Sequence, residues 1–424
     1  MLTDLHFDAV NRELRLPTYG GDYDLRPFPL PGSPVDVADM KVRLRQAVKA
    51  SPDAGERRLA RRIQYAFTFF MFGEALPRDR LAELFGDETT GIDEGLELGL
   101  FISEQNTVRT NGLSLFSRRL RNGGAIHLFA DTPPHFERRM SATPRVYIGA
   151  DSYELMERVA ALVGRAGCCI EMGSGSGIQL ISALKHHPLL TTAVGKERDR
   201  RALNVSAFNA ALNGVAGRMV VVGPEADLGT ELNGRTVAFA MTNPPFLPVP
   251  AELDVKSGDE PIDLHAVFPS AGWGGEDGLD VTGRFIDELQ PLLGPDVPCI
   301  IYSQFAGDDH GPAQVRRYAE RAGFDFTFEP LPSRRVCARD PDTNRVVEGS
   351  TQPVLSAAQA AASTARLIVA ALLGRRVPQR IQSAIRRGSP EHALLLSLAA
   401  TLEKSYIRHG ITHFHDGFAI LTRS

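Results

Sequence analysis

One stretch, from Cys168 to Phe246, constrains the fold of this chain more than any other. It begins with an apolar run that leads into Glu171-Met172-Gly173-Ser174-Gly175-Ser176-Gly177. This pattern predicts a buried strand that turns sharply into a helix, because glycines let the backbone approach a ligand and leave amide groups free at the helix start. The segment therefore predicts a nucleotide-like site.

The spacing of the glycines distinguishes two kinds of nucleotide site. A dinucleotide fold requires Gly-x-Gly-x-x-Gly, whereas here the third glycine falls one residue early and Ile178 takes its place. Glu197 stands twenty residues past Gly177, after a second short strand, where such folds place a ribose-binding acid. A further strand, Thr236 to Met241, leads into Thr242-Asn243-Pro244-Pro245-Phe246.

Two motifs carry a family resemblance. Gly-x-Gly-x-Gly is similar to the first motif of class I S-adenosylmethionine (SAM) methyltransferases, and Asn-Pro-Pro-Phe resembles the signature of methyltransferases that act on planar nitrogens. Gly274-Gly275-Glu276-Asp277-Gly278-Leu279-Asp280 resembles the segment after that signature in the HemK/PrmC family, the glutamine methyltransferases of release factors. The match covers roughly Thr143 to Pro330, but Gly149 to Glu154 departs from the family's Pro-Arg-Pro-x-Thr-Glu.

The resemblance implies an α/β fold with a seven-stranded, doubly wound, Rossmann-like methyltransferase sheet, and SAM as the cofactor. The residues expected to bind the cofactor are Glu171, Gly173, Ser174, Gly175, Gly177, Glu197, Asp227 and Asn243.

The residues expected to act in catalysis are Asn243, Pro244, Pro245 and Phe246. By resemblance, the Asn243 side chain and the Pro244 carbonyl hold the acceptor nitrogen, and Phe246 packs on its plane. The lone pair of such a nitrogen is delocalised, so acceptors that grip its N–H bonds aim the lone pair at the methyl group. The two prolines stiffen the loop. This chemistry requires no metal, and none is expected.

The chain is predicted to have four segments. They are an N-terminal arm with a mainly helical, winged-helix-like domain (1–140), the SAM-binding domain (141–330), a helical cap insertion (331–410) and the final strand of the sheet (411–424). Residues 86–103 cover the would-be recognition helix and contain five acidic residues and no lysine or arginine. Because DNA affinity depends on neutralising phosphates, the winged-helix-like module is not expected to bind DNA. Packing, dimerisation or substrate enclosure are its alternative roles, so a homodimer stays open.

The cap insertion is basic. It has 12 lysine and arginine residues against five acidic ones, and five of the arginines lie close together: Arg375, Arg376, Arg380, Arg386 and Arg387. Helices are expected at Ser356–Leu373, Val377–Arg386 and Pro390–His409. The strand before the insertion ends at the carboxyl edge of the sheet, where α/β folds bind ligands, so the insertion is expected to cap the site. A basic cap suits an acidic substrate, a tRNA or a protein partner; the alternative is a solvated helix face.

Four further residues are candidates for substrate contact. Tyr147 lies in the approach segment, Trp273 ends a long polar loop, and His413 and His415 enter the final strand on one side. The alternative for Trp273 is a structural role under the loop, and for the two histidines it is that of ordinary strand residues. The two histidines lack the further ligands that a metal site needs.

Composition limits the remaining function classes. The net charge of −4 shows no basic excess for nucleic acid or anionic lipid. No apolar run reaches the ~18 residues of a membrane span, and the start lacks a signal sequence, so a cytoplasmic protein is expected. Cys168, Cys169, Cys299 and Cys337 have no metal-type spacing.

These observations predict SAM-dependent N-methylation of a planar amide or amine nitrogen. A small metabolite or natural-product intermediate is the favoured substrate, because the added domain and the cap could enclose it. A protein glutamine and an RNA or DNA base are the alternatives. A non-enzymatic SAM-binding module is disfavoured, since none of the motif residues is missing.

Overall fold

The computed structural model describes most of the chain after residue 40. The described residues are 41–42, 44–46, 48–50, 53–85, 90–97, 99–122, 124–131, 146–162, 164–249, 256–257, 260–261, 273–332, 334–339, 346–351, 353–374 and 390–423. The expected arm at the N-terminus, the expected helix Val377–Arg386 and the five clustered arginines lie outside these residues. The chain divides into two compact units, Met1–Pro144 and Arg145–Ser424.

The first unit combines helices with two small sheets. Its elements are α1 (Ala54–Ala66), which continues into a π-helical turn (Phe67–Met71), β1 (Leu76–Pro77), α2 (Arg78–Phe85), α3 (Thr90–Glu97), β2 (Phe101–Glu104), β3 (Thr107–Thr110), β4 (Leu113–Arg119) and β5 (Ala125–Asp131). Strands pair antiparallel in the order β1-β3-β2, and β4 pairs with β5 separately. The aromatic residues that follow α1 are buried, and the Phe69 ring meets the Phe101 ring edge to face at 4.9 Å. These large side chains supply much of the core of this unit.

The second unit alternates strands and helices. Its elements are α4 (Ala150–Ala160), β6 (Gly167–Met172), α5 (Ile178–His186), β7 (Leu190–Lys196), α6 (Arg200–Leu212), β8 (Met219–Val222), α7 (Leu228–Leu232), β9 (Val237–Thr242), β10 (Lys256–Ser257), β11 (Glu260–Pro261), α8 (Asp280–Leu289), β12 (Cys299–Gly307), α9 (Ala313–Arg321), β13 (Asp325–Pro330), β14 (Arg334–Arg339), β15 (Val346–Thr351), β16 (Val354–Ser356), α10 (Ala357–Gly374), α11 (Pro390–Arg408) and β17 (His413–Thr422). Among the described helices, none combines the length and apolar character needed to cross a membrane.

The main sheet has eight strands rather than the predicted seven. Seven of them follow the order β13-β17-β12-β9-β6-β7-β8, with β17 antiparallel to both of its neighbours. The eighth strand, β16, pairs with β17 at His413 to His415, whereas β13 pairs with β17 only from Gly417 to Thr422. The long β17 therefore leaves free backbone beyond the end of β13, and β16 fills that edge.

The two faces of the sheet pack against different helices. Cys168, Ile301 and Leu421, from three strands, share one core with α7, α8 and α9. Helices α4, α5 and α6 contact one another in sequence, and none of their residues belongs to that core. Successive side chains of a strand point to opposite faces of the sheet. The helices that a strand residue packs against therefore show which face it lies on.

The insertion before the last strand contains more than helices. Strands β14 and β15 form an antiparallel hairpin that the sequence did not predict, and α10 and α11 lie close to two of the predicted helices. Helices α10 and α11 share a core with Val249, Ala306 and Phe414. The Tyr406 hydroxyl of α11 also donates a hydrogen bond to the Pro248 carbonyl, at 3.2 Å. The described helices of the insertion thus pack on the segment after Phe246.

Candidate active site

Three strands end side by side at the carboxyl edge of the sheet. Met172 of β6 is in register with Lys196 of β7 on one side and with Thr242 of β9 on the other. The Thr242 hydroxyl donates a hydrogen bond to the Met172 carbonyl at 2.9 Å. Because neighbouring strands lie about 5 Å apart, the segments that begin at Gly173 and Asn243 leave the sheet next to each other.

The glycine turn depends on backbone conformations that favour glycine. Gly173, Gly175 and Gly177 have φ values of 72°, 51° and 77°. The Gly173 amide donates to the Lys196 carbonyl at 2.7 Å, and the Gly177 amide donates to the Ser174 carbonyl at 2.7 Å. Apart from its two chain neighbours, no described residue has an atom within 4 Å of the place where a Gly173 Cβ would be. The turn is therefore tight, and open on the side of Gly173.

Glu171 is buried beneath this turn. Glu171 is 1% exposed, and its Oε2 has no hydrogen-bond partner among the residues that the structure describes. Burial raises its pKa well above the usual range, the negative charge of Glu197 adds to the rise, and the Leu180 amide opposes it. The hydroxyls of Ser174 and Ser176 are also buried, and no described residue forms a hydrogen bond with them. Buried polar groups are normally satisfied, so three such atoms at one turn fit a polar ligand with cationic or hydroxyl groups.

Glu197 stands at the end of β7, as predicted from its distance to the glycines. Its two carboxylate oxygens accept hydrogen bonds from the amides of Gly175 and Asp199, each at 2.9 Å. A carboxylate oxygen can accept more than one hydrogen bond, so these contacts orient Glu197 without using up its capacity for a ribose.

Asp227 is the helix cap of α7. Its Oδ2 accepts hydrogen bonds from the Thr230 amide at 2.8 Å and from the Thr230 hydroxyl at 2.7 Å, and these lower its pKa. The capping contacts account for an aspartate here, and its predicted role in cofactor binding stays a prediction.

Asn243 bonds to a residue that sequence reasoning missed. Its Nδ2 donates a hydrogen bond to Asp151 Oδ2 at 2.8 Å. Asp151 lies in the first turn of α4, within the segment that departs from the HemK/PrmC pattern. No local pattern indicates this contact, because 92 residues separate its partners.

The segment Pro244 to Phe246 is held by the glycines that resemble the HemK/PrmC continuation. The Gly274 amide donates to the Leu247 carbonyl at 3.0 Å. A Cβ on Gly278 would lie 2.5 Å from the Phe246 carbonyl oxygen, and Gly278 also has a φ of 79°. Only a glycine lets the backbone pass this closely. Pro244 is buried, while Pro245 and Phe246 are partly exposed.

Tyr147 and Trp273 flank the site differently. Tyr147 is 45% exposed, and its hydroxyl faces the Asp151 carboxylate. Loss of solvation at the hydroxyl and the neighbouring carboxylate both raise the pKa of Tyr147. Trp273 forms a bridge with Leu247 and packs against the core of α10 and α11. A role of either residue in substrate contact stays a prediction.

His413 and His415 lie on the face of the sheet that packs against α7, α8 and α9, opposite to α4. His415 pairs with Phe305, whose side chain belongs to the core of α7, α8 and α9. The His415 Nε2 donates to the Asp308 carbonyl at 2.7 Å, and burial lowers the pKa of this imidazole. The ring of His413 lies 6.3 Å from that of His415, on the same side. The structure therefore does not bring the histidines together with Asp151, which lies on α4.

Within the described ranges, no group of three or more His, Cys, Asp or Glu side chains is arranged to hold a metal ion.

Comparisons with known proteins find only weak similarity. No protein-family model matches the chain, and no curated protein matches it at a significant level. The precorrin-6y C5,15-methyltransferase of Geobacter metallireducens is 12% identical with a TM-score of 0.30, over 47% of this chain and 83% of that one. The ribosomal protein L11 methylase of Lactobacillus delbrueckii is 14% identical with a TM-score of 0.29, over 44% and 76%.

A third similar structure is a cyclase by name. The [4+2]-cyclase SpnF is 12% identical with a TM-score of 0.32, over 64% of this chain and 80% of that one. Similarity at this level assigns neither an activity nor a substrate.

Proposed function

We propose that this protein is a SAM-dependent methyltransferase that acts on a planar amide or amine nitrogen, in the manner of the HemK/PrmC group. One observation carries the proposal: the glycine turn and the Asn243–Phe246 segment leave the sheet from paired positions, Met172 and Thr242. A donor held by the first segment then faces an acceptor held by the second.

The turn has the groups that SAM needs. Glu197 would accept hydrogen bonds from the ribose hydroxyls, and the unpartnered Glu171 and Ser174 atoms would meet polar groups of the cofactor. When bound, SAM supplies an electrophilic methyl group and leaves as S-adenosylhomocysteine (SAH).

The acceptor side fits a nitrogen that carries N–H bonds. Asn243 donates from Nδ2 to Asp151, so its Oδ1 is directed away from that carboxylate and can accept from the substrate. The Pro244 carbonyl is the second acceptor in this proposal. Two acceptors on the N–H bonds disfavour delocalisation of the lone pair and direct it toward the methyl group. The nitrogen forms the new N–C bond and releases one proton to solvent.

The substrate class is proposed to be a small metabolite. Helices α10 and α11 pack on Leu247 and Val249, which follow the acceptor segment (Asn243 to Phe246), and could help to exclude water. A protein glutamine and a nucleic-acid base are the alternative substrates, and the experiment below distinguishes them.

The test is transfer of an isotope-labelled methyl group from SAM into cell extract. The small-molecule, peptide and RNA fractions are analysed separately by mass spectrometry, with wild-type protein and with Asn243→Ala. We expect label on nitrogen in the small-molecule fraction with wild type, and about 100-fold less with Asn243→Ala, as for the loss of one preorganised polar contact. Equal labelling by both proteins would refute the role of Asn243, and label on oxygen or carbon would refute N-methylation.

A further inference from the structure

Asp151 is a charged residue in direct contact with the acceptor segment. It is the second residue of α4, and its Oδ1 is shielded from solvent. Its Oδ2 accepts the hydrogen bond from Asn243 Nδ2 at 2.8 Å. Nothing in the motif-based assignment gives this residue a role.

The contact fixes which end of the Asn243 amide faces the substrate. A side-chain amide has a donor end and an acceptor end of nearly equal shape, and either can be presented. An ionised carboxylate only accepts hydrogen bonds, so Asp151 pairs with the NH₂ end. The oxygen end is then left for the N–H of the methyl acceptor, which is the polarity that the proposed reaction requires.

Asp151 is itself held in place by its surroundings. The position of a Gly149 Cβ would lie 1.7 Å from the Tyr147 hydroxyl oxygen and 2.6 Å from Asp151 Oδ1, so glycine is needed for these groups to approach. The Ser152 hydroxyl accepts from the Gly149 amide at 3.2 Å and fixes the start of the helix. The positive end of the α4 dipole also favours a carboxylate in the first turn.

The surroundings also affect the charge of Asp151. Burial raises its pKa, while hydrogen bonds from Asn243, the Ser152 amide and Tyr147 oppose the rise. Among the other ionisable groups, Tyr302 on β12 faces Asp151, and burial together with the charges of Asp416, Asp151 and Glu154 raises the pKa of Tyr302. The hydrogen bond between Asn243 and Asp151 therefore depends on the ionisation of the Asp151 carboxylate, which can be followed by varying the pH.

We propose that Asp151 is a positioning residue that orients the Asn243 amide, with its oxygen toward the methyl acceptor. This role rests on the proposed function, because it is the acceptor nitrogen that requires an oxygen at that place.

The first test follows the Asn243 amide directly and does not depend on activity. In ¹⁵N-labelled full-length protein, the side-chain N–H signals of Asn243 are identified by their loss in Asn243→Asp. We expect one of the two protons to be shifted by the carboxylate, to lose that shift in Asp151→Ala, and to keep it in the control Glu154→Ala. As the pH is lowered, the signal should move with a single titration that is absent in Asp151→Ala. Unchanged Asn243 signals in Asp151→Ala would overturn the proposal.

The second test uses the extract fraction that wild type methylates. Asp151→Ala should lower kcat about 10-fold or more and leave the SAM dissociation constant within about 2-fold. Asn243→Asp places two carboxylates face to face and should lose more, and adding Asp151→Asn should recover part of the rate by restoring a donor opposite an acceptor. Unchanged kcat in Asp151→Ala, or no recovery in the double variant, would overturn the positioning role. If wild type labels no fraction, the proposed function fails and this role with it, although the Asn243 signals would still report the contact.

Discussion

The two faces of the sheet differ in how their polar groups are satisfied at the carboxyl edge. On the face of α4, α5 and α6, Glu171 is buried with an unpartnered oxygen, and Asp151 is shielded beside Asn243. On the face of α7, α8 and α9, Asp227 caps a helix and His415 bonds to a backbone carbonyl. The fold itself explains both of these contacts. Unpartnered buried oxygens also occur on the second face, at Thr282 of α8 and Gln314 of α9, but only at the glycine turn do a carboxylate and two hydroxyls cluster, among the described residues. This is the side on which we propose that ligands bind.

The two faces also hold groups whose contributions to folding stability change with pH in opposite directions. Glu171 has a raised pKa, so the folded state binds its proton more tightly than the unfolded chain does, and folding stability falls as the pH rises above about 4.5. His415 has a lowered pKa, so the unfolded chain takes up the proton first, and stability falls as the pH drops below about 6.5.

The largest effect is expected from removing the acid at the end of β7. Glu197→Ala removes the acceptor for two backbone amides and the acceptor that we propose for the ribose, so the SAM dissociation constant from calorimetry should rise about 100-fold. Glu225→Ala, an exposed acid after the next strand, is the control and should bind SAM as wild type does. Normal SAM affinity in Glu197→Ala would remove this residue from the site.

The next effect tests the contact that holds the acceptor segment. Gly278→Ala and Gly410→Ala both add a side chain at a positive φ, so each should lower the unfolding free energy by about 1–2 kcal/mol. At Gly278 the new Cβ meets backbone, at 2.5 Å from the Phe246 oxygen, whereas at Gly410 no described residue beyond the chain neighbours has an atom within 4 Å of it. Methyl transfer should therefore fall about 10-fold or more in Gly278→Ala alone, in line with a misplaced catalytic segment. Equal activity in the two variants would show that methyl transfer does not depend on the position of Phe246.

A smaller effect is expected at Glu171. Glu171→Gln removes the cost of burying a charge, so the unfolding free energy at pH 7 should increase, and its decline between pH 5 and 8 should become shallower than in wild type; one pKa unit corresponds to about 1.4 kcal/mol. SAM affinity should fall about 3- to 10-fold, because a stabilising change at a ligand site costs function. Denaturant unfolding at several pH values measures the first effect. A less stable variant would show that the carboxylate is satisfied in the folded protein.

The smallest effect on activity is expected on the opposite face. His415→Gln should leave kcat/KM within about 2-fold of wild type, since the imidazole bonds to Asp308 and not to the acceptor segment. The loss of stability below pH 6.5 should become shallower in this variant. A 10-fold or larger loss of kcat/KM with normal SAM affinity would instead support the predicted role of His415 in substrate contact.

The parts of the site that depend on local pattern could be predicted from the sequence. The glycine turn, Glu197 and Asn243 come after three strands, and parallel strands end at one edge, so their proximity was predictable. The Asp151–Asn243 contact could not be predicted in this way, because it joins residues that are distant in sequence. Alternation placed His413 and His415 on one side of β17, but only the pairing with Phe305 shows which side that is. Strand β16 and the β14–β15 hairpin also escaped prediction, since they depend on a free sheet edge and on pairing rather than on a strong apolar pattern.

The most direct test is a crystal structure of the protein with SAH. We predict density for this product against residues 173–177, with the ribose on Glu197 and the sulfur facing Asn243, on the side of the sheet covered by α4 and α5. Density on the side of α8 and α9, or a glycine turn that stays free of SAH at saturating concentration, would contradict the account.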